Sequence, residues 1–131
     1  MATVLVTTRH TFPNAPSGRY DIESTEASVD VAATGDQAEA TDTEDADLCC
    51  VSVKLLTLTG GASPSLDFRV QHSPDNVLWF DAGMLGPTFT AAAMSATQSY
   101  SGLSRYVQVA WVTKGTPATA TATIFVTAKR R

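Results

Sequence analysis

Residues Arg105-Tyr106-Val107-Gln108-Val109-Ala110-Trp111-Val112-Thr113, Lys114-Gly115-Thr116-Pro117 and Thr119-Ala120-Thr121-Ala122-Thr123-Ile124-Phe125-Val126-Thr127-Ala128-Lys129 decide the fold. Val107, Val109 and Trp111 alternate with Gln108 and Ala110. Ala122, Ile124 and Val126 alternate in the same way with Thr121, Thr123 and Thr127. A period of two puts each apolar set on one face of a strand, facing a core. The short Lys-Gly-Thr-Pro turn joins the two strands into a hairpin. Unbroken alternation on both sides fixes its register.

The same signal recurs upstream. Ala96 to Ser101 reads as a strand, closed by Gly102. Residues 83–95 are punctuated by Gly83, Gly86 and Pro87, and Ala91-Ala92-Ala93-Met94 could form one helical turn. Residues 65–81 read as a second hairpin. Leu66, Phe68 and Val70 share a face, Ser73-Pro74-Asp75-Asn76 makes a turn, and Val77 to Asp81 returns around Trp79. In Leu48 to Thr59, Cys49, Val51, Val53 and Leu55 share one face, but Leu56 and Leu58 carry the apolar phase to the other. That change calls for a bulge near Leu55–Leu56 or for a strand covered on both faces. Thr3 to Arg9 and Ala27 to Ala33 supply two more strands, the latter with Val29, Val31 and Ala33 on one face. Between Asp36 and Asp47 no large apolar residue occurs, so this stretch is expected to be a solvated loop or arm.

About eight strands separated by Gly/Pro turns predict an all-β chain. Its expected form is a two-sheet antiparallel β-sandwich of jelly-roll type with a long acidic loop. At 131 residues, 44% of them apolar, the chain fits a single domain spanning 1–131. No apolar run approaches the ~18–20 residues of a membrane helix. The start, Met1-Ala2-Thr3-Val4-Leu5-Val6, lacks the basic and small-residue flanks of a secretory signal.

The net charge of −4 conceals an asymmetry. Ten of the thirteen acids fall between Asp21 and Asp47, where no Lys or Arg occurs. From Leu48 onward, seven bases outnumber three acids. Such polarity points to head-to-tail contacts between copies or to docking on a charged partner. The acidic stretch would repel phosphates, which disfavours nucleic acid as the partner.

Catalytic and metal chemistry is thinly represented. Cys49 and Cys50 are adjacent, so a bridge between them requires a strained ring, and both are expected to stay reduced. Ser73, His72 and Asp75 hold the residue types of a triad, but sequence neighbours rarely reach productive geometry and no nucleophile elbow is present. Asp42-Thr43-Glu44-Asp45-Ala46-Asp47 lacks the Gly and Glu of an EF-hand, leaving only a looser loop-built calcium site open. No catalytic residue, cofactor or metal ligand is therefore assigned. Trp111 is in phase with the core, whereas adjacent Trp79 and Phe80 cannot both point inward from a strand covered on one face. The outward one would mark a contact surface or an aromatic sugar platform.

Two of these stretches are also familiar. Phe68-Arg69-Val70-Gln71-His72-Ser73-Pro74-Asp75-Asn76-Val77-Leu78-Trp79-Phe80-Asp81 resembles a V-Q-x-S-x-D-x-x-x-W-x-D hairpin of small tailed-phage structural proteins. Ser104-Arg105-Tyr106-Val107-Gln108-Val109-Ala110-Trp111, followed by the Gly115-Thr116-Pro117 turn and the Thr-rich last strand, is similar to the closing R-Y-V-x-V-x-W hairpin of the same group. The resemblance implies a non-enzymatic virion structural protein, foremost a capsid decoration (cement) protein bound to the major capsid protein or other virion proteins. Such a protein would be located in the virion, assembled in the host cytoplasm, and homo-oligomeric, with a trimer expected. The alternatives are a tail or neck accessory protein or a carbohydrate-binding β-sandwich module. The expected partner contacts are the acidic residues Glu39, Asp42, Glu44, Asp45 and Asp47, the aromatics Trp79 and Phe80, and the basic tail Lys129, Arg130 and Arg131.

Overall fold

The computed structural model describes residues 5–11 and 20–130. It is an all-β sandwich of two antiparallel sheets, consistent with the jelly-roll type. The strands are β1 (Val6–Thr11), β2 (Tyr20–Asp30), β3 (Gly35–Asp36), β4 (Thr41–Asp42), β5 (Leu48–Thr59), β6 (Ser65–Ser73), β7 (Phe80–Met84), β8 (Ser95–Ser101), β9 (Tyr106–Lys114) and β10 (Thr119–Arg130). One sheet runs β1-β2-β10-β5-β8, and the other runs β3-β9-β6-β7 with β4 also on β9.

The two halves of the closing hairpin belong to different sheets. β9 pairs with β6, while β10 lies between β2 and β5. The turn at Lys114–Pro117 is therefore a corner between layers. The alternation read from the sequence is correct on both strands: Val107, Val109, Trp111, Ala122, Ile124 and Val126 are buried in one core. Gly115 takes a left-handed φ of 80°, and a Cβ there would meet the Ala62 carbonyl oxygen at 2.6 Å, so only glycine fits this corner.

On β5 the expected phase change is a bulge. Thr57 opposes Thr121 and Leu55 opposes Ala122, leaving Leu56 as the extra residue, turned outward. Four expectations shift. The first strand runs Val6–Thr11 rather than Thr3–Arg9, and Thr3 lies outside the described residues. The strand expected at Ala27–Ala33 is the far end of the longer β2, which stops at Asp30 and leaves Ala33 exposed. The inner face of β2 carries Ser24 and Glu26, which broke the apolar alternation. The returning strand of the 65–81 hairpin begins at Phe80, not Val77. Ala91–Met94 is a turn without a helix: Ala93 has a φ of 70°, and its N–H and the Met94 carbonyl both bond to the Leu55 backbone at the bulge.

Candidate functional site

The acidic stretch is not an arm. Asp36 and Thr41–Asp42 pair with β9, and Gln37, Thr41 and Thr43 are buried. Gln37 continues the ladder by unusual means. Its backbone N–H donates to the Val109 carbonyl (3.1 Å), and its side-chain Oε1 accepts from the Val109 N–H (2.9 Å). Its Nε2 donates to the Glu26 carboxylate (3.1 Å), so one amide ties both sheets together. Glu26 is 3% exposed, and burial pushes its carboxyl above the usual range; the Gln37 bond opposes this and the Glu39 charge adds to it. Further along, the Thr43 N–H and hydroxyl both donate to the Arg105 carbonyl. The buried Tyr20 hydroxyl lies within bonding reach of the Thr43 and Glu44 carbonyls and donates between them. Polar anchors thus replace the apolar ones whose absence suggested a solvated loop. Replacing Tyr20 with Phe should cost roughly 1–3 kcal/mol in urea unfolding, because the buried Thr43 carbonyl loses the hydroxyl it shares with the part-buried Glu44 carbonyl. Hydrogen exchange should quicken across residues 43–47 in that variant, and unchanged exchange would count against the anchor.

Charges segregated in sequence are paired in space. Arg105 grips Asp42 through both carboxylate oxygens at 2.8 Å, and this bond holds the Asp42 carboxyl below its usual range. Arg9 bonds Glu44 at 2.9 Å and stacks over the Tyr20 ring. Lys129 and Arg130 are not a free tail. They end β10 opposite Asp21 and Tyr20, and the Asp47 N–H donates to the Lys129 carbonyl. Part of the acidic stretch therefore lies beside the described basic end of β10. Glu39 and Asp45 are exposed, and Arg131 lies outside the described residues.

The 74–84 region is different. Ser73 is buried, and its hydroxyl donates to Asp75. One Asp75 oxygen also accepts from the Val77 and Leu78 N–H groups (both 2.9 Å), and these bonds lower its pKa. An Asx turn of this kind holds its loop in shape. The loop and the strand after it display Val77 (80% exposed), Leu78 (59%), Phe80 (48%) and Met84 (39%). β7 is also the last strand of its sheet, so one side of its backbone is open. Of the two adjacent aromatics, Phe80 is the exposed one. Trp79 is half-buried and lines a groove of about 450 Å³ with Asp36, Glu39, Asn76 and Gln108 among its walls. Leu78 was not marked by periodicity because it lies in a loop, and the groove was not because its walls come from separate segments, Asp36 and Gln108 on strands and Asn76 and Trp79 in a loop.

The remaining candidates are structural in their geometry. The His72 Nδ1 accepts from the Ser104 N–H at 3.0 Å, and Ser73 and Asp75 serve the turn, so the three do not form a relay. Cys49 is buried, which pushes its thiol up to about 12, while Cys50 lies on the opposite face of β5; neither is bridged. Among the described residues, no three His, Cys, Asp or Glu side chains converge to hold a metal ion.

No family model matches the sequence, and no curated protein matches it. Among solved structures, the chain is similar to a CBM22-1 xylan-binding domain from Paenibacillus barcinonensis, at 12% identity over 100% of this chain and 85% of that one, with a TM-score of 0.42. It is similar to a chain of Bacillus endospore appendages, disulfide-linked pili, at 13% identity over 100% and 92%, with a TM-score of 0.40. It is also similar to a chain of infectious bursal disease virus, Gx strain, at 11% identity over 98% and 31%, with a TM-score of 0.37. Likenesses this distant carry no argument about role, and the sandwich stands on its own strand pairing.

Proposed function

We propose that this chain is a non-enzymatic virion structural protein, a capsid decoration subunit that docks on the shell through the β7 edge. The carrying observation is the rigidly held apolar display of Val77, Leu78, Phe80 and Met84. Burying a fully exposed Leu or Phe contributes roughly 1.5–3 kcal/mol. A loop already fixed by Asp75 loses little further entropy on docking. The hairpin presenting these residues is also the one that resembles tailed-phage structural proteins. This apolar edge is a better candidate surface than the acidic stretch, because Asp42 and Glu44 are already paired with Arg105 and Arg9.

The test is co-sedimentation of the purified chain with shells assembled from the major capsid protein of the same virus. The wild-type chain should pellet with the shells. Leu78→Ser combined with Phe80→Ser should bind at least about tenfold more weakly, a loss of ~1.4 kcal/mol or more. Its urea midpoint should hardly move, since exposed positions contribute about 0.5 kcal/mol or less. A wild-type chain left in the supernatant overturns the proposal, and so does a double variant that pellets equally well.

A further inference from the structure

We infer that the groove beside Trp79 receives an arginine side chain of the docking partner. The identification of that partner rests on the docking reading above; the chemistry of the groove does not.

The groove has acceptors without a cation. Asp36 and Glu39 contribute carboxylates, and among the described residues no Lys or Arg lines it. The neighbouring guanidinium groups on this side are committed elsewhere, Arg69 to Asp81 and Arg105 to Asp42. Gln108 is 5% exposed and donates its Nε2 to the Gln71 Oε1 at 2.8 Å, which fixes the amide so that its own oxygen remains as an acceptor. The Gln37 amide is held by its bonds to Glu26 and the Val109 N–H, so it stays oriented along the wall. A guest that complements this set is rich in donors, positively charged and flat enough to lie against an indole. Guanidinium has five N–H donors and no acceptor, and it stacks on aromatic faces. A neutral sugar could bond the Asn76 amide and the Trp79 indole N–H, but it would leave the Asp36 and Glu39 charges without a counter-charge, which a guanidinium supplies.

Position supports the same guest. Asn76 and Trp79 bracket Val77 and Leu78 in the chain, so the groove is continuous with the apolar display. A charged anchor in a pocket next to buried apolar contacts is the usual arrangement of a binding hot spot. The negative field of the groove also reaches inward, where Glu39 acts on the buried Glu26 carboxyl.

The experiment is an NMR titration of the full ¹⁵N-labelled chain with N-acetyl-arginine amide, with N-acetyl-lysine amide and a neutral xylo-oligosaccharide as separate probes. Arginine amide should shift the Trp79 indole N–H and the Asn76 and Gln108 side-chain amides. Lysine amide should shift them less, and the oligosaccharide should leave them in place. Asp36→Asn with Glu39→Gln should reduce the arginine affinity at least about tenfold, as expected when a charge loses its partners. Absence of shifts with arginine amide overturns the inference, as do shifts undiminished in the double variant, or shifts with the oligosaccharide alone. The two readings fail separately. A groove that binds arginine amide on a chain that never pellets with shells sinks the docking reading alone. A chain that pellets normally but ignores arginine amide sinks the arginine inference alone.

Discussion

Phe89→Ala should lower the stability of the chain by roughly 3–5 kcal/mol, the range for emptying a large aromatic site in a core. Phe89 lies outside every extended strand, yet it is fully buried. Its ring meets Phe68 edge-on with centroids 5.0 Å apart, and its N–H and carbonyl both bond Leu66. Leu85, four residues earlier, is also fully buried, with its N–H on the Phe68 carbonyl. The 85–89 segment thus closes the core beneath β6. Truncating the ring removes apolar contacts from both Phe68 and Leu66, and two bonded backbones leave the segment little freedom to collapse into the void. Urea unfolding measures the loss. A shift below about 1 kcal/mol at unchanged slope would show that the segment relaxes and that the core does not depend on it.

Gln37→Ala should be nearly as costly and should carry a pH signature. Two buried partners lose their bonds, the Glu26 carboxylate and the Val109 N–H, at about 1–3 kcal/mol each. The direction of the pH effect follows from the raised Glu26 carboxyl. Between its ordinary value of 4.5 and its higher folded value, the native state binds more protons than the unfolded chain, so this group's contribution to stability falls as pH rises through that window. Without the Gln37 donor the folded value moves higher still. The penalty of Gln37→Ala should therefore be larger at pH 7 than at pH 4, where Glu26 is closer to neutral. Glu26→Gln keeps an oxygen that can accept from Gln37 and removes the ionisable group. It should be at least as stable as wild type at pH 7 and lack this group's pH dependence. A Gln37→Ala penalty identical at both pH values would refute a charged Glu26 held by Gln37.

Where the chain alternates cleanly, its residues already carried the answer. Val107, Val109 and Trp111, or Ala122, Ile124 and Val126, have no choice of face once an extended backbone is adopted. Even the Leu56 bulge was visible as a broken phase. Leu85 and Phe89 were not visible, because single large side chains in a Gly/Pro-rich stretch have no period to betray burial. The 36–47 stretch misled for a related reason: buried side chains are read from apolarity, and Gln37, Thr41 and Thr43 are buried through hydrogen bonds. Among the candidate contacts, Trp79 and Phe80 could be marked as a pair that a strand must split between two directions. Which of them faces outward, and that Leu78 stands beside it, depended on the Asp75 turn.

Local alternation was enough for an all-β sandwich and most of its inward faces, since strand periodicity is a property of neighbouring residues. It read Lys114–Pro117 as a hairpin turn, and only the pairing of β9 with β6 and of β10 with β2 and β5 makes it a corner between sheets. Only the tertiary structure decided where the charges go. It brought Arg9 from β1 and Arg105 from the β8–β9 connection onto Glu44 and Asp42, and left Asp36 and Glu39 beside Trp79 in a groove that no described Lys or Arg lines. Electrostatic pairing depends on distance in space, and no one-dimensional pattern encodes it.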